Sequence, residues 1–245
     1  MNATRDFPFC TDRPVALTGR DWVILLGALA VGFGLLSAAP LMGFPASVIP
    51  PLLFLGVPLL ALRRVAGRHW TALFGPVGPR QVAQMVLFGL LTLVLTLAVG
   101  LALMQVAPLS PNPIAQQMQH LSAAHLAARL IPTIPQLIGE ELLGILPFLA
   151  TIWFCTRRLG QSQGSAVIVG MLVSALIFGA AHLPTYDWNW AQALIGIGAA
   201  RIVLTLAYVV TRNLWVSAGA HILNDWSGFL AAFAFAHLPI GTDPL

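Results

Sequence analysis

Charge is scarce in this sequence, and its make-up is unusual. Only 8% of the 245 residues are charged, lysine is absent, and glutamate occurs twice. A soluble domain carries roughly 25% charged residues. Because 58% of the residues are hydrophobic and the mean hydropathy is +0.86, the composition excludes a soluble globular domain and predicts an integral membrane protein.

Cysteine is also scarce, which limits the chemistry that thiols could supply. Cys10 and Cys155 are the two cysteines of the chain, and they give neither a disulfide framework nor the spacing of a metal site. We therefore expect free thiols. The net charge of +4 comes from arginines, and charges in the loops of a membrane protein set its topology. We predict the lipid bilayer as the surroundings and no nucleic-acid partner.

The apolar runs predict one membrane domain that covers residues 1–245 and begins with a polar tail over residues 1–20. Each membrane-spanning helix takes about 20 residues, so little of the chain remains for a second domain. An amphipathic segment at 114–130 predicts a helix lying in the membrane interface. The fold class is therefore an all-α polytopic bundle of about seven spans plus one interfacial helix. The spans are expected near 22–39, 48–62, 82–107, 134–155, 166–182, 191–211 and 214–236.

The distribution of arginine predicts the orientation of these spans. Ten of the twelve arginines lie in the N-terminal tail and in the connections at 63–80, 157–158 and 212. Seven alternating spans put all of these segments on one side, which the positive-inside rule makes the cytoplasmic side. We expect a cytoplasmic N-terminus and a location in the bacterial inner (plasma) membrane.

The two glutamates of the chain are adjacent and lie in an apolar segment. Glu140 and Glu141 fall in the predicted fourth span, where an ionised carboxylate costs roughly 3 kcal/mol on insertion scales. A cost of this size favours a functional carboxylate site over simple packing. Successive residues of a helix point about 100° apart. We therefore expect one glutamate to face the site and the other to support it or to bind Arg201 of the sixth span.

Other polar residues of the predicted core region, residues 134–236, recur at helical spacing. Residues three or four apart share a helix face, so Phe178 lies on the face of His182. In the last span His221 shares a face with Asn224 and with Asp225. Three helices then each offer a polar face, which is how helical bundles build sites in their cores.

Three motifs in this order resemble those of a known family. The chain reads E-E-L-L-G-I from Glu140, F-G-A-A-H from Phe178 and H-I-L-N-D from His221. Residues 136–226 are in this respect similar to the CPBP family of intramembrane proteases, which includes CAAX-processing Rce-type endopeptidases and Abi bacteriocin-immunity proteins. That family has E-E-x-x-x-R, F-x-x-x-H and H-x-x-x-N or D. Ile145 stands where the family has arginine, and Asp225 takes the last position.

The resemblance implies an endopeptidase that hydrolyses a peptide bond of a membrane-associated peptide or protein. It implies that Glu140, with His182, activates a water for attack on the peptide carbonyl. His221 with Asn224 or Asp225 would stabilise the oxyanion, and Glu141 would support the site. Zinc, held by Glu140, His182 and His221, is an open alternative, although the H-E-x-x-H motif of metalloproteases is absent.

Two functions of other classes also stay open. The substitution at Ile145 favours a non-catalytic membrane scaffold or immunity protein that retains a degenerate protease site. Ionisable residues inside a membrane are also typical of proton-coupled transporters, in which Glu140 and His221 would form a relay.

Overall fold

The computed structural model describes residues 6–11, 14–39 and 42–238, and within these ranges it contains helices but no strand. Arg5 and Arg13, two of the arginines counted in the tail, lie outside the described residues. The α-helices are α1 Gly19–Ser37, α2 Ile49–Ala66, α3 Pro79–Met104, α4 Pro113–Met118, α5 Ala123–Leu130, α6 Thr133–Arg157, α7 Gln163–Ala181, α8 Gly198–Thr211 and α9 Leu214–His237. Short 3-10 turns lie at Ala46–Val48, Gly67–Leu73 and Pro184–Tyr186, and a π-helical turn lies at Ala191–Ile197.

Six segments among the described residues are long and apolar enough to cross a membrane, and they match the first six predicted spans. They are Gly19–Ser37, Ala46–Leu73, Pro79–Met104, Ala123–Arg157, Gln163–Ala181 and Ala191–Thr211. The predicted polytopic all-α bundle is confirmed. The seventh predicted span forms as α9 and has 24 residues, but it is less apolar because it carries His221, Asn224 and Asp225.

Helix α6 lies at the centre of the bundle. Every residue from 139 to 149 is buried, and α6 packs against α1, α2, α7, α8 and α9. A helix that is apolar on all sides is expected to be buried on all sides. The glutamate pair therefore lies in the interior of the protein and not on its lipid-facing surface.

The predicted amphipathic helix at 114–130 is two short helices, α4 and α5, and not one. Ser122 interrupts it, because the Ser122 side chain accepts a hydrogen bond from the backbone N–H of His125 and so caps a new helix. Serine favours this capped start over the interior of a helix. Met118 and Leu126 are buried against Phe229 of α9, so the two helices cover the second half of α9.

The start of the predicted sixth span departs from α-helical geometry. Residues Ala191–Ile197 form a π-helical turn before α8 begins, and such turns are frequent at functional sites. Helix α7 approaches this turn closely, since a Cβ atom added at Gly179 would lie 2.6 Å from the carbonyl oxygen of Ala193. The residue pattern of this turn, which is apolar except for Gln192, does not distinguish π from α.

The described part of the N-terminal tail packs into the bundle. Phe7 and Phe9 are buried, and the Phe7 ring meets the edge of the Phe148 ring of α6 at 5.3 Å. The Cys10 thiol donates to the carbonyl oxygen of Leu149 over 3.3 Å. Both cysteines of the chain are buried and free.

Candidate active site

The residues of the three sequence motifs meet at one cavity. It has a volume of about 340 Å³, and its lining includes Glu140, His182, His221, Asn224 and Asp225. Its remaining walls are largely apolar and come from α3, α4, α6, α7, α8 and α9 and from the turns that join α7 to α8. The helices that carry the motifs are α6, α7 and α9, as predicted.

Glu140 lies at the centre of the polar cluster. Its Oε1 accepts a hydrogen bond from Nε2 of Gln136, one turn earlier in α6, over 2.9 Å. Its Oε2 lies 3.9 Å from Nε2 of His182 and 3.8 Å from Nε2 of His221. These two distances exceed those of hydrogen bonds. The three atoms therefore converge without bonding one another and leave a position where a small polar group could be shared.

The orientation of both histidine rings follows from their hydrogen bonds. Nδ1 of His182 lies 2.8 Å from the carbonyl oxygen of Phe178, and Nδ1 of His221 lies 2.9 Å from Oε1 of Glu141. A carbonyl and an ionised carboxylate only accept, so each Nδ1 donates. Each ring therefore presents Nε2 to Glu140. The Phe178 ring packs against both histidines, with centroids 4.6 Å and 5.9 Å away.

Glu141 points away from the cavity and is bound by Arg201 of α8. Nη1 and Nη2 of Arg201 donate to the two carboxylate oxygens over 2.8 Å and 3.0 Å, and both side chains are fully buried. Nε of Arg201 donates to Oγ1 of Thr205 over 3.1 Å. The guanidinium fits against Gly144, where a Cβ atom would lie 2.8 Å from its Cζ. Glu140 thus faces the cavity and Glu141 binds Arg201, as the angle of about 100° between successive helix residues predicts.

Ile145, which the motif comparison aligns with the family's arginine, is fully buried in the apolar core. An arginine there would lie four residues beyond Glu141 and so on the same helix face. In this chain the guanidinium that binds Glu141 comes from the neighbouring helix through Arg201. The departure from the motif therefore does not leave Glu141 without a cationic partner.

Asn224 and Asp225, at the end of the last motif, are hydrogen-bonded to each other. Oδ1 of Asp225 lies 3.7 Å from Nε2 of His221 and accepts a hydrogen bond from Nδ2 of Asn224 over 2.9 Å. Among the described residues the buried Oδ1 of Asn224 has no hydrogen-bond partner. Asn224 thus directs its N–H group at Asp225.

Tyr186 also lines the cavity, although none of the three motifs contains it. Its side chain is 7% exposed, and its hydroxyl oxygen accepts a hydrogen bond from Nδ2 of Asn112 over 3.3 Å. Burial, followed by the negative charge of Asp225, raises the pKa of Tyr186 to about 12. The sequence prediction missed Tyr186. Its spacing could have revealed it, because Tyr186 follows His182 by four residues, just as His182 follows Phe178.

Within the described ranges no group of three or more His, Cys, Asp or Glu side chains is arranged to hold a metal ion. In the set of Glu140, His182 and His221, Oε2 of the glutamate lies 3.9 Å from Nε2 of His182 and 3.8 Å from Nε2 of His221. Zinc at this set stays an open alternative.

Comparison with known proteins agrees with the motifs. The family model described as type II CAAX prenyl endopeptidase Rce1-like matches residues 123–227, the segment from α5 to the middle of α9. No curated protein and no solved structure gave a match. The matched segment contains every residue predicted for the site. The chain is therefore a multi-pass membrane protein whose residues 123–227 match the Rce1-like family of type II CAAX prenyl endopeptidases, a match that supports the predicted resemblance to the CPBP/CAAX protease family.

Proposed function

We propose that this protein is an endopeptidase that cleaves a membrane-associated peptide or protein with a water activated by Glu140. The observation that carries the proposal is the convergence of Oε2 of Glu140 with the Nε2 atoms of His182 and His221, at 3.9 Å and 3.8 Å, in a buried cavity. A carboxylate and two imidazoles are the usual groups of general acid–base catalysis.

In the first step Glu140 acts as the general base. A water between Glu140 and His182 gives one proton to Oε2 while its oxygen attacks the peptide carbonyl carbon. His182 holds the water through Nε2, because its Nδ1 is committed to the carbonyl of Phe178. Gln136 holds the other oxygen of Glu140 in place. The electron pair of the carbonyl double bond moves to oxygen and forms the oxyanion.

In the second step His221 stabilises this oxyanion. Three carboxylates, those of Glu140, Glu141 and Asp225, contact the ring of His221, and Arg201 balances the charge of only one. Nδ1 of His221 donates to Glu141, and a ring protonated at both nitrogens donates to the oxyanion from Nε2. The C–N bond then breaks, the proton on Glu140 moves to the leaving nitrogen, and a carboxylic acid and an amine result.

The apolar walls of the cavity support this chemistry. Hydrogen bonds and charges act more strongly where water is excluded, and the lining includes Leu93 of α3, Ile197 of the π-helical turn and Leu204 of α8. Helices α4 and α5 cover the same side of α9. These features suit a substrate that reaches the site from the membrane.

The test compares new protein termini in host membranes that express the wild type or Glu140→Gln at equal levels. We expect termini that appear with the wild type and are absent with Glu140→Gln, because the amide cannot take a proton from water. The thermal unfolding of the two purified proteins must coincide, since the introduced amide oxygen can still accept from Gln136. Identical sets of termini would reject the peptidase proposal and favour the scaffold.

A further inference from the structure

We propose that Tyr186 is a further catalytic residue, whose hydroxyl donates a hydrogen bond to the oxyanion beside His221. The proposal rests on the peptidase function above and adds a donor that the motifs do not contain. The reason to look for one lies in α9, where Asp225 occupies the last motif position and one of the two amide N–H donors of Asn224 is committed to Asp225. An ionised carboxylate only accepts hydrogen bonds and cannot stabilise an oxyanion.

Tyr186 lies one helical turn beyond His182, just after the end of α7. The backbone N–H of Tyr186 donates to the carbonyl oxygen of His182 over 3.3 Å, and the 3-10 turn Pro184–Tyr186 keeps its ring beside the cavity. Phe178, His182 and Tyr186 are spaced by four residues each. The tyrosine therefore enters the same cavity as the histidine that holds the water.

The direction of its hydrogen bond leaves the hydroxyl hydrogen available. Oδ1 of Asn112 caps α4 by accepting from the backbone N–H groups of Ile114 and Ala115, over 2.9 Å and 3.2 Å. This fixes the amide, so that its Nδ2 meets the hydroxyl oxygen of Tyr186 at 3.3 Å. An amide nitrogen only donates. The oxygen of Tyr186 therefore accepts, and its own hydrogen stays free to be donated within the cavity.

Hydrogen bonds join the segment before Asn112 to the segment after Tyr186. Ser110 and Gln192 exchange two hydrogen bonds of 2.8 Å through the backbone N–H and carbonyl of the serine. Nδ2 of Asn189 donates to the carbonyl oxygen of Pro108 over 2.9 Å. A donor fixed in advance stabilises an oxyanion without reorganisation at the moment of reaction.

The hydroxyl also keeps its proton under working conditions. Burial, with the charges of Asp225 and Glu140, raises the pKa of Tyr186 to about 12. The group therefore acts as a neutral donor at neutral pH.

The first experiment measures kcat and KM of Tyr186→Phe on a quenched fluorescent peptide built around a cleavage site found by the comparison of termini. Loss of one oxyanion donor lowers kcat by about 100-fold or more, and we expect KM to change by less than about threefold. The matched control is Tyr208→Phe. Tyr208 is the other tyrosine of the chain, is fully buried and does not line the cavity, so its variant should retain the wild-type kcat.

A second variant tests the direction of the hydrogen bond without removing the ring. Asn112→Asp keeps the cap on α4, but its second oxygen accepts from the Tyr186 hydroxyl and turns that hydrogen away from the cavity. We expect a fall in kcat similar to that of Tyr186→Phe. The double variant should be no slower than Tyr186→Phe alone, because both changes remove the same donor. An effect of the added charge by itself would persist in the double variant.

The outcomes separate this inference from the peptidase proposal. Wild-type kcat in Tyr186→Phe, with Glu140→Gln inactive, would overturn the role of Tyr186 and leave the peptidase intact. A rise in KM with unchanged kcat would also overturn it, since that result indicates a binding contact. Equal cleavage by Glu140→Gln and the wild type would overturn the peptidase itself.

Discussion

Removal of the Arg201 guanidinium should destabilise the protein strongly. Arg201 and Glu141 are both fully buried and share two hydrogen bonds of 2.8 Å and 3.0 Å. Arg201→Met leaves the carboxylate of Glu141 buried with His221 as its remaining partner. Loss of one partner of a buried ion pair costs about 3–5 kcal/mol. At about 2–4 °C per kcal/mol for a chain of this size, the melting temperature should fall by roughly 6–20 °C.

The assay is thermal unfolding of the purified protein in one detergent, followed by tryptophan fluorescence, for the wild type and two variants. The matched control is Arg201→Met combined with Glu141→Gln, which removes both charges and leaves an acceptor for Nδ1 of His221. Replacement of a whole buried pair is often close to neutral, so this variant should recover most of the lost stability. The reasoning is refuted if Arg201→Met melts with the wild type, or if the double variant melts no higher than Arg201→Met.

Three further results are expected. Glu140→Gln should abolish turnover and melt within a few degrees of the wild type, because that side chain lines the cavity and makes no ion pair as short as that of Glu141. Burial raises the pKa of Cys10 to about 12, so its thiol stays neutral below that pH. N-ethylmaleimide should therefore label Cys10 slowly between pH 7 and 9, with mass spectrometry showing full labelling only after unfolding in SDS. Cleavage should survive dialysis against a zinc chelator, whereas activity lost to chelation and restored by zinc would favour a metal site.

Much of the fold and part of the site could be predicted from the sequence. Length and apolar content determined the first six spans, because a membrane demands about 20 apolar residues for each crossing. The 100° between Glu140 and Glu141 predicted that one would face the site and the other would find a partner, which the contact of Glu141 with Arg201 confirms. Each of these inferences needs only the length of one helix or its 3.6-residue period, and no knowledge of how helices pack together.

Features that depend on contacts between distant segments could not be predicted. The ion pair of Glu141 with Arg201 requires knowing that Arg201 of α8 packs against Gly144 of α6. The hydrogen bond from Asn112 to Tyr186 joins residues 74 positions apart. The break between α4 and α5 depends on Ser122 favouring a cap over the helix interior, a preference of about 1 kcal/mol that the amphipathic pattern conceals.

The Arg201–Glu141 ion pair also bears on how the protein is made. Its partners lie 60 residues apart, so during synthesis α6 leaves the ribosome well before α8. Until α8 arrives, α6 carries two carboxylates without the guanidinium of Arg201, at roughly 3 kcal/mol for each ionised group on insertion scales. Helix α6 should therefore wait beside the translocation machinery, or enter with protonated glutamates, and reach its final position only when α8 joins it. Biogenesis of this bundle would then proceed by the joint entry of α6, α7 and α8 and not helix by helix.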